Sequence, residues 1–289
     1  MTVFLNGQFL PIEEAKVPVL DRGFIFGDGI YEFVPVYSRT PFRLDGHLAR
    51  LERSLAEVRI RNPYSRAQWG EIIARLISLQ SFEDQGVYWQ VTRGVARRDH
   101  AFPKDIEPTV FMMANPLVTP TAEQVEKGGS AVSAQDFRWH RCDIKVTSLM
   151  GNCMLRQLSA EAGGVETILF RGDQLTEASS SNVFIVKGGR IATPPKTNLI
   201  LPGITLDAVY DVVARGGLPF EVREITEQEV RAADELWVSS SSKEIFPVVS
   251  LDGKAIGDGR PGPVFRKAWQ IYQDFKNEVM RGKQEAQSV

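Results

Sequence analysis

The spacing of apolar residues in the first 120 positions predicts a region that mixes helices with strands. Two stretches carry apolar residues at helical spacing, and Asp45 is placed to cap the first of them. Shorter runs of β-branched and aromatic residues predict strands, and the pair Asn6-Gly7 predicts a hairpin turn between two of them. The predicted elements are helices over 45–60 and 66–80 and strands over 3–5, 8–10, 87–93 and 109–114.

The segment 115–121 carries two prolines and no periodic pattern, which is typical of a linker. We therefore expect a domain of residues 1–120 followed by a domain of residues 121–289. The polar tail 282–289 is expected to be mobile. The elements predicted for the second domain are helices over 149–162, 204–213 and 263–280 and strands over 130–135, 166–170, 183–186, 221–225, 235–239 and 248–251.

Composition and charge narrow the classes of function. The 289 residues carry a formal net charge of -2, so no electrostatic field favours nucleic acid or an anionic membrane, and neither partner is expected. No window approaches the ~20 apolar residues that span a bilayer, and the N-terminus does not resemble a signal peptide. Cys142 and Cys153 do not make a disulfide framework and complete no metal spacing with His140. We expect free thiols, a cytoplasmic protein and no metal site.

Lys145 is the first candidate for covalent chemistry. It lies in the alternating stretch Cys142-Asp-Ile-Lys-Val-Thr, whose period of two places Ile144 and Val146 on the face opposite Lys145. A lysine that lines a cleft is desolvated, loses its proton readily and becomes a nucleophile, whereas a lysine on a solvated strand face does not. The residues alone leave both interpretations open.

Glu177 begins a polar run, Glu-Ala-Ser-Ser-Ser-Asn, that follows the turn signal Gly172-Asp173. Short polar side chains of this kind either satisfy a bound polar ligand or form a solvated loop, and the pattern does not choose between them.

Two later segments are typical of anion sites. Ile204 and Thr205 open a helix directly after Pro202-Gly203, where free backbone amides and the helix dipole favour a phosphate. Ser240 and Ser241 belong to a serine run that ends a predicted strand and offers further donors. Helix starts and serine runs are common, so each is a weak signal by itself.

A loop between two predicted strands carries Arg98 and His100, which could hold an acidic group through the planar guanidinium and the imidazole. The alternative is a charged surface turn. Tyr31 lies on an earlier predicted strand as part of an aromatic face with a hydroxyl tip, and Arg50 on the first helix is either an anion ligand or a solvated side chain.

Taken in chain order, these segments resemble the class IV aminotransferases, the fold-type IV family of pyridoxal phosphate enzymes, and most of all its D-amino-acid members. The resemblance covers nearly the whole chain. It depends on four motifs, which are Phe26-Gly-Asp-Gly-Ile-Tyr31-Glu, Val91-Thr-Arg-Gly with Arg98-x-His100, Arg138-Trp-x-Arg-Cys-Asp-Ile-Lys145 and Thr176-Glu177-x-Ser-Ser-Ser-Asn-Val-Phe. It implies an α+β fold of two domains, a smaller N-terminal α/β domain and a larger β-barrel-like C-terminal domain with helices.

The resemblance implies pyridoxal 5'-phosphate as the cofactor. Lys145 is then the Schiff-base lysine and the acid/base, and Glu177 pairs with the pyridine nitrogen and keeps it protonated. The phosphate ligands that it implies are Arg50, Ile204, Thr205, Ser240 and Ser241.

The resemblance also implies a trap for the substrate's α-carboxylate, formed by Tyr31, Arg98 and His100. The loop that carries the last two is expected to reach in from the second subunit of a homodimer. Phe33 stands where a smaller apolar residue is frequent, so a ring that faces the pocket is expected to narrow the range of substrate side chains.

The implied reaction is transamination between D-alanine or other D-amino acids and 2-oxoglutarate. The alternatives that share the lysine and the cofactor are a branched-chain L-amino-acid aminotransferase, an (R)-selective amine transaminase and 4-amino-4-deoxychorismate lyase. A protein that binds the cofactor without catalysis is the alternative from another class.

Overall fold

The computed structural model describes residues 1–281, which form two compact units; the predicted mobile tail 282–289 lies outside the described residues. The first unit comprises Met1–Leu117 and Ile144–Leu149, and the second comprises Val118–Asp143 and the chain from Met150 onward. The division into domains 1–120 and 121–289 stays a prediction, because contact-defined units need not be domains that fold alone.

The first unit is built on an antiparallel sheet of six strands in the order β2-β1-β6-β5-β3-β4. A 3-10 turn, Ile12–Glu14, follows the N-terminal hairpin, which turns at Asn6-Gly7 as predicted. The elements are β1 Thr2–Leu5, β2 Gln8–Pro11, α1 Arg22–Phe26, β3 Gly29–Tyr37, β4 Thr40–Pro41, α2 Leu44–Glu57, α3 Arg66–Ser78, β5 Gln85–Thr92 and β6 Thr109–Pro116.

Helices α2 and α3 bury their apolar faces in the core of this unit, where Trp69 and Trp89 are fully buried. The prediction that Asp45 caps α2 is wrong. Arg43 is the N-cap and has a left-handed backbone with a φ of 54°, so Asp45 lies inside the first turn. A carboxylate there complements the helix dipole, but it occupies no capping position.

The second unit is built on a mixed sheet of nine strands in the order β12-β11-β10-β13-β14-β7-β8-β9, with β15 paired to β14. The sheet curls into a half-barrel. Its strands are β7 Gly129–Gln135, β8 Glu166–Arg171, β9 Gln174–Ala178, β10 Asn182–Lys187, β11 Arg190–Thr193, β12 Phe220–Val222, β13 Glu235–Ser240, β14 Glu244–Leu251 and β15 Lys254–Ala255.

Five α-helices of the second unit are described within residues 1–281, and the last continues into a π-helical turn, Asn277–Arg281. They are α4 Ala122–Lys127, α5 Met150–Glu161, α6 Ile204–Gly216, α7 Glu227–Arg231 and α8 Pro263–Lys276. Within the described part of the chain, no helix combines the length and the apolar character needed to cross a membrane. The predicted α+β class is confirmed.

Five elements of the second unit were not predicted, namely α4, β9, β11, α7 and β15, and the first two are instructive. Helix α4 begins directly after the proline-containing segment, where Thr121 and Gln124 form a reciprocal capping box. Strand β9 contains Glu177, and its alternation is hidden because Thr176 and Glu177 are buried although they are polar. Burial of polar residues in a strand requires hydrogen-bond partners from elsewhere in the fold, and those partners are invisible in the local pattern.

Candidate functional site

Lys145 lies beside strand β3 of the first unit. The amide of Tyr31 donates to the carbonyl of Lys145 at 2.9 Å, and the amide of Thr147 donates to the carbonyl of Gly29 at 2.9 Å. Val146 next to the lysine is buried whereas Lys145 is half-buried, in keeping with the alternation of this stretch. The backbone therefore fixes the direction in which the lysine side chain leaves the chain.

The amine of Lys145 faces an aromatic ring, with Nζ 4.1 Å from the ring centroid of Tyr31. Across residues 1–281, Nζ makes no hydrogen bond and no ion pair. An amine without a carboxylate partner is available to react with a carbonyl once it is deprotonated. Of the two interpretations of Lys145, this geometry favours the nucleophile.

Arg50, expected from the resemblance to bind phosphate, forms a two-pronged ion pair with Glu32 on strand β3. Its Nε donates to Oε1 at 2.8 Å and its Nη2 donates to Oε2 at 2.7 Å. His47, one turn earlier on α2, has Nδ1 2.8 Å from Oε2 of the same carboxylate. Because a carboxylate only accepts, Nδ1 carries the proton in this pair.

Burial raises the pKa of Glu32, but Arg50 and His47 together outweigh it and bring the pKa to about 2. Burial lowers the pKa of His47 against the pull of Glu32, and Lys145 is among the positive charges that lower it further. Sequence reasoning missed Glu32 and His47. The available signal was a charged residue at a core-facing strand position, between the buried residues Ile30 and Val34.

The aromatic face expected around Tyr31 is formed with Tyr88 from strand β5, the two ring centroids lying 5.6 Å apart. The Tyr88 hydroxyl donates to Oε1 of Gln90 at 2.8 Å, and burial raises its pKa to about 12. Phe33 lies opposite Tyr88 in the register, and its ring packs over Gly86, where a built Cβ would come within 2.5 Å of it. Gly86 is opposite Pro35 in the register, so the Phe33 ring leans away from Tyr31.

Arg98 and His100 are exposed and pack on the same ring, that of Phe26. The His100 ring lies 5.6 Å and the Arg98 guanidinium 5.3 Å from the Phe26 centroid. Arg22 holds the loop between them, donating to the Asp99 carbonyl at 2.5 Å. The structure thus brings Arg98 and His100 together, but within residues 1–281 neither side chain hydrogen-bonds to the third predicted trap residue, Tyr31.

Glu177 in the second unit is 5% exposed and has hydrogen bonds on both oxygens. Oε1 accepts from Nη1 of Arg138 at 2.6 Å. Oε2 accepts from the Leu201 amide at 3.0 Å and from Nδ2 of Asn182 at 3.3 Å. The carboxyl is therefore held rigidly in a buried position, which excludes the solvated-loop interpretation.

The arginine that contacts Glu177 is shared with a second carboxylate. Arg138 donates through Nε and Nη2 to the two oxygens of Asp136, each at 2.9 Å. Burial raises the pKa of Glu177 to about 7 although Arg138 lowers it, and the negative charge of Asp136 raises it further. Glu177 is thus a buried carboxyl that can hold or release a proton near neutral pH.

The candidate phosphate ligands of the second unit lie at a helix start and a strand end. Gly203 caps helix α6 without a side chain, and the helical hydrogen bond to its carbonyl comes from Asp207. The amides of Ile204 and Thr205 precede that bond and are free for an anion. A Cβ at Gly203 would lie 2.2 Å from Oδ1 of Asn182, so glycine is required there.

Ser240 ends strand β13, and Ser241 lies in the turn that follows. The Ser240 hydroxyl oxygen accepts from the Lys243 amide at 3.2 Å, which tightens this turn. Both serines are half-buried, so their polar atoms are not closed off from a ligand.

Both cysteines are free thiols, Cys142 buried and Cys153 exposed. The Cys142 thiol donates to the Trp139 carbonyl, and burial raises its pKa to about 11, which leaves it unreactive. The residues that the structure describes contain no group of three or more histidine, cysteine or acidic side chains able to hold a metal ion.

Comparisons with known proteins show the family and the fold of this chain. The family model described as amino-transferase class IV matches residues 29–251. D-alanine aminotransferase of Bacillus licheniformis is 40% identical over 274 residues, which cover 95% of this chain and 96% of that protein. D-alanine aminotransferase of Staphylococcus haemolyticus is 38% identical over 274 residues, 94% of this chain and 97% of that one.

Among solved structures, the branched-chain amino acid aminotransferase of Escherichia coli has a TM-score of 0.87 and is 26% identical. The match covers 93% of this chain and 92% of that one, so the two share a fold and the fold-type IV prediction is confirmed. The family match and the relatives over nearly the whole length lead to one conclusion, that this chain belongs to the class IV aminotransferases.

Proposed function

We propose that this protein transfers the amino group of D-alanine or another D-amino acid to 2-oxoglutarate, which yields pyruvate or another 2-oxo acid and D-glutamate. The observation that carries the proposal is the 40% identity to a D-alanine aminotransferase over 95% of the chain. The unpaired amine of Lys145 and the buried carboxyl of Glu177 are the two groups that this chemistry requires.

The residues present fit pyridoxal 5'-phosphate. The pKa of about 7 makes Glu177 a proton-sharing partner for a pyridine nitrogen, and Arg138 and Asn182 fix its oxygens in place. When bound, the cofactor supplies a sink for the electrons of the bond broken at the substrate's α carbon. Lys145 would hold the cofactor through its amine and, as a free amine, would move the proton at the substrate's α carbon. The proposed phosphate ligands are Arg50, Ile204, Thr205, Ser240 and Ser241.

The role of Arg50 in phosphate binding is proposed together with its ion pair to Glu32. A guanidinium has five N–H donors in a planar fork, and Arg50 engages Glu32 through Nε and Nη2. Glu32 then presents Arg50 in one orientation, which lowers the conformational cost of binding an anion.

We further propose that Tyr31, Arg98 and His100 bind the substrate's α-carboxylate, the last two from the second subunit of a homodimer. Their exposure within one chain supports this, since a trap closed by its own chain would have buried them. Apolar side chains that are exposed on the same unit supply a surface for association. They are Val19, Leu20, Phe24, Val95 and Phe102.

The deciding experiment compares D-alanine with L-leucine as amino donors to 2-oxoglutarate, with the purified protein loaded with pyridoxal 5'-phosphate. We expect pyruvate and D-glutamate from D-alanine, at a kcat/KM well above that for L-leucine. Faster turnover of L-leucine overturns the D-specific proposal and supports a branched-chain aminotransferase, the second candidate, which the structural match favours. Sedimentation of the same sample tests the dimer.

Assays on the same purified protein distinguish the remaining alternative functions. An (R)-selective amine transaminase accepts an amine without a carboxylate, and 4-amino-4-deoxychorismate lyase releases pyruvate without an amino acceptor. In a protein that only binds the cofactor, D-alanine leaves the absorbance of the bound cofactor unchanged. The cytoplasmic location expected from the free thiols stays a prediction.

A further inference from the structure

A buried carboxylate lies at the start of strand β8, outside the residues assigned above. Glu166 is 0% exposed and accepts hydrogen bonds from three successive serine hydroxyls. Ser179 donates to Oε2, while Ser180 and Ser181 donate to Oε1 at 2.5 and 2.6 Å. Although Ser180 is exposed, the hydroxyl protons of the serine run after Glu177 are not free to be donated to a ligand, because they satisfy Glu166.

A cation joins this cluster from a different part of the sheet. Nζ of Lys243 lies 3.1 Å from Oε1 of Glu166 and 3.4 Å from the hydroxyl oxygen of Ser180. Lys243 also donates its own amide to the Ser240 hydroxyl at 3.2 Å. One lysine thus ties Glu166 to the turn that carries Ser240 and Ser241.

The serine run is continuous with the group that holds Glu177. Asn182, directly after Ser181, donates to Oε2 of Glu177 and to the Leu201 carbonyl. The backbone between Glu177 and Asn182 is also fixed, since the Ser179 amide donates to the Thr167 carbonyl at 2.9 Å. A shift of the serine run would move Asn182 and with it one of the contacts that orient Glu177.

We propose that Glu166 is a positioning residue that sets two cofactor-binding segments at once, the run 179–182 that orients Glu177 and the turn 240–243 that carries Ser240 and Ser241. This inference rests on the proposed function for the roles of Glu177 and the two serines. Glu166 itself touches neither cofactor nor substrate. It acts through the three serine hydroxyls and Lys243.

The charge of Glu166 is what the arrangement requires. Burial raises its pKa, but Lys243 and the three serines outweigh burial and lower it, so Glu166 is ionised at neutral pH. An ionised carboxylate accepts on both oxygens and fits four donors. An amide in its place turns two hydrogens toward groups that also donate, so at least one serine must turn away.

The test compares Glu166→Gln with Glu235→Gln. Glu235 is a matched control because it is equally a buried glutamate of the second unit, 6% exposed, and accepts from the amides of Val264 and Phe265 at the start of helix α8. Two quantities are measured, the dissociation constant of pyridoxal 5'-phosphate and the amide hydrogen exchange of the cofactor-free protein.

We expect Glu166→Gln to weaken cofactor binding at least tenfold and to speed exchange in 178–182 and 240–243 together. Glu235→Gln should speed exchange at the first turn of helix α8 and leave the dissociation constant within twofold. Equal cofactor affinity in the two variants, with no change in exchange at 178–182 and 240–243, overturns the proposal.

Lys243→Met is the second variant, in case Glu166→Gln does not fold. The Lys243 side chain is 23% exposed, so its replacement leaves no sealed cavity. It should weaken cofactor binding in the same direction, and Lys243→Arg should restore it; failure of this rescue contradicts the pairing. If the wild-type protein neither binds the cofactor nor reacts with D-alanine, the proposed function fails, while the exchange data still decide whether Glu166 sets the two segments.

Discussion

Each of the two units buries a glutamate against an arginine, and the pKa values of these two glutamates are shifted in opposite directions. Glu32 in the first unit has a pKa of about 2, whereas Glu177 in the second has a pKa of about 7. Both are almost completely buried, so desolvation raises the pKa of each. The difference must come from their partners.

Arg50 makes two bonds to Glu32, and His47 adds a third. Arg138 makes two bonds to Asp136 and only one to Glu177, and Asp136 adds a negative charge nearby. An arginine of its own and the added histidine therefore keep Glu32 ionised, whereas Glu177 shares its arginine with a second carboxylate. The first arrangement is suited to orienting Arg50, and the second to exchanging a proton near pH 7.

The largest expected effect is that of Lys145→Ala, which removes the reactive amine of the first unit and leaves both glutamates in place. We expect transamination to fall by at least about 10³-fold, since the lysine acts as both nucleophile and acid/base. Circular dichroism should show an unchanged fold. Substantial remaining turnover in this variant contradicts the role assigned to Lys145.

Glu177→Gln tests the second unit's glutamate with the shape of the side chain preserved. We expect kcat to fall by roughly 10²-fold, because a neutral amide cannot keep a pyridine nitrogen protonated. The raised pKa means that proton uptake stabilises the native state below about pH 4.5, and that this contribution is lost as the pH rises through about 7.

The cofactor-free wild-type protein should therefore lose stability relative to Glu177→Gln between these pH values, as measured by urea unfolding at pH 5 and pH 8. If the wild-type protein instead gained stability relative to Glu177→Gln between pH 5 and pH 8, the Glu177 pKa would be lowered, and the contrast between the two glutamates would fail.

Glu32→Gln tests the glutamate of the first unit, whose pKa is lowered whereas that of Glu177 is raised. It leaves the Arg50 guanidinium buried without its carboxylate, so the free energy of unfolding at pH 7 should fall by about 3 kcal/mol. The pKa of Glu32 is lowered, so its contribution is present above about pH 4.5 and lost as the pH falls toward about 2. The difference in the free energy of unfolding between variant and wild type should become smaller below pH 4.5. A difference that is constant with pH would contradict the lowered pKa of Glu32.

The smallest effect is expected for Glu52→Gln, which removes a glutamate–arginine pair on the surface of the first unit. Glu52 accepts two bonds from Arg66, but the two side chains are 37% and 52% exposed. Exposed pairs of this kind contribute less than about 1 kcal/mol. A loss as large as that of Glu32→Gln would show that burial is not what separates the two classes of pair.

Much of the fold was predictable because local patterns are strong where side chains face one uniform environment. The helical spacing of Leu48, Leu51 and Leu55 predicted α2, and Asn6-Gly7 predicted the first hairpin. Strand β9 was missed because Glu177 is a buried polar residue whose partner Arg138 lies 39 positions away. No local pattern contains that partner.

Within the candidate site, residue types were easier to predict than their partners. Lys145 and Glu177 were selected from their motifs, whereas Glu32 and Glu166 were not, although both are fully buried acids. The position of the Phe33 ring depends on Gly86 of strand β5, whose missing side chain leaves the space that the ring fills. Such effects depend on a residue of the neighbouring strand.

By itself, the sequence determined the family resemblance, the α+β class and the residues able to carry the chemistry, because reactive groups and periodic patterns are properties of single residues and short segments. Only the tertiary structure decided the acidity of Glu32 and Glu177, and it alone decided that the serine run is occupied by Glu166. A pKa depends on burial and on charges within a few ångströms, and folding brings those charges together from distant parts of the chain.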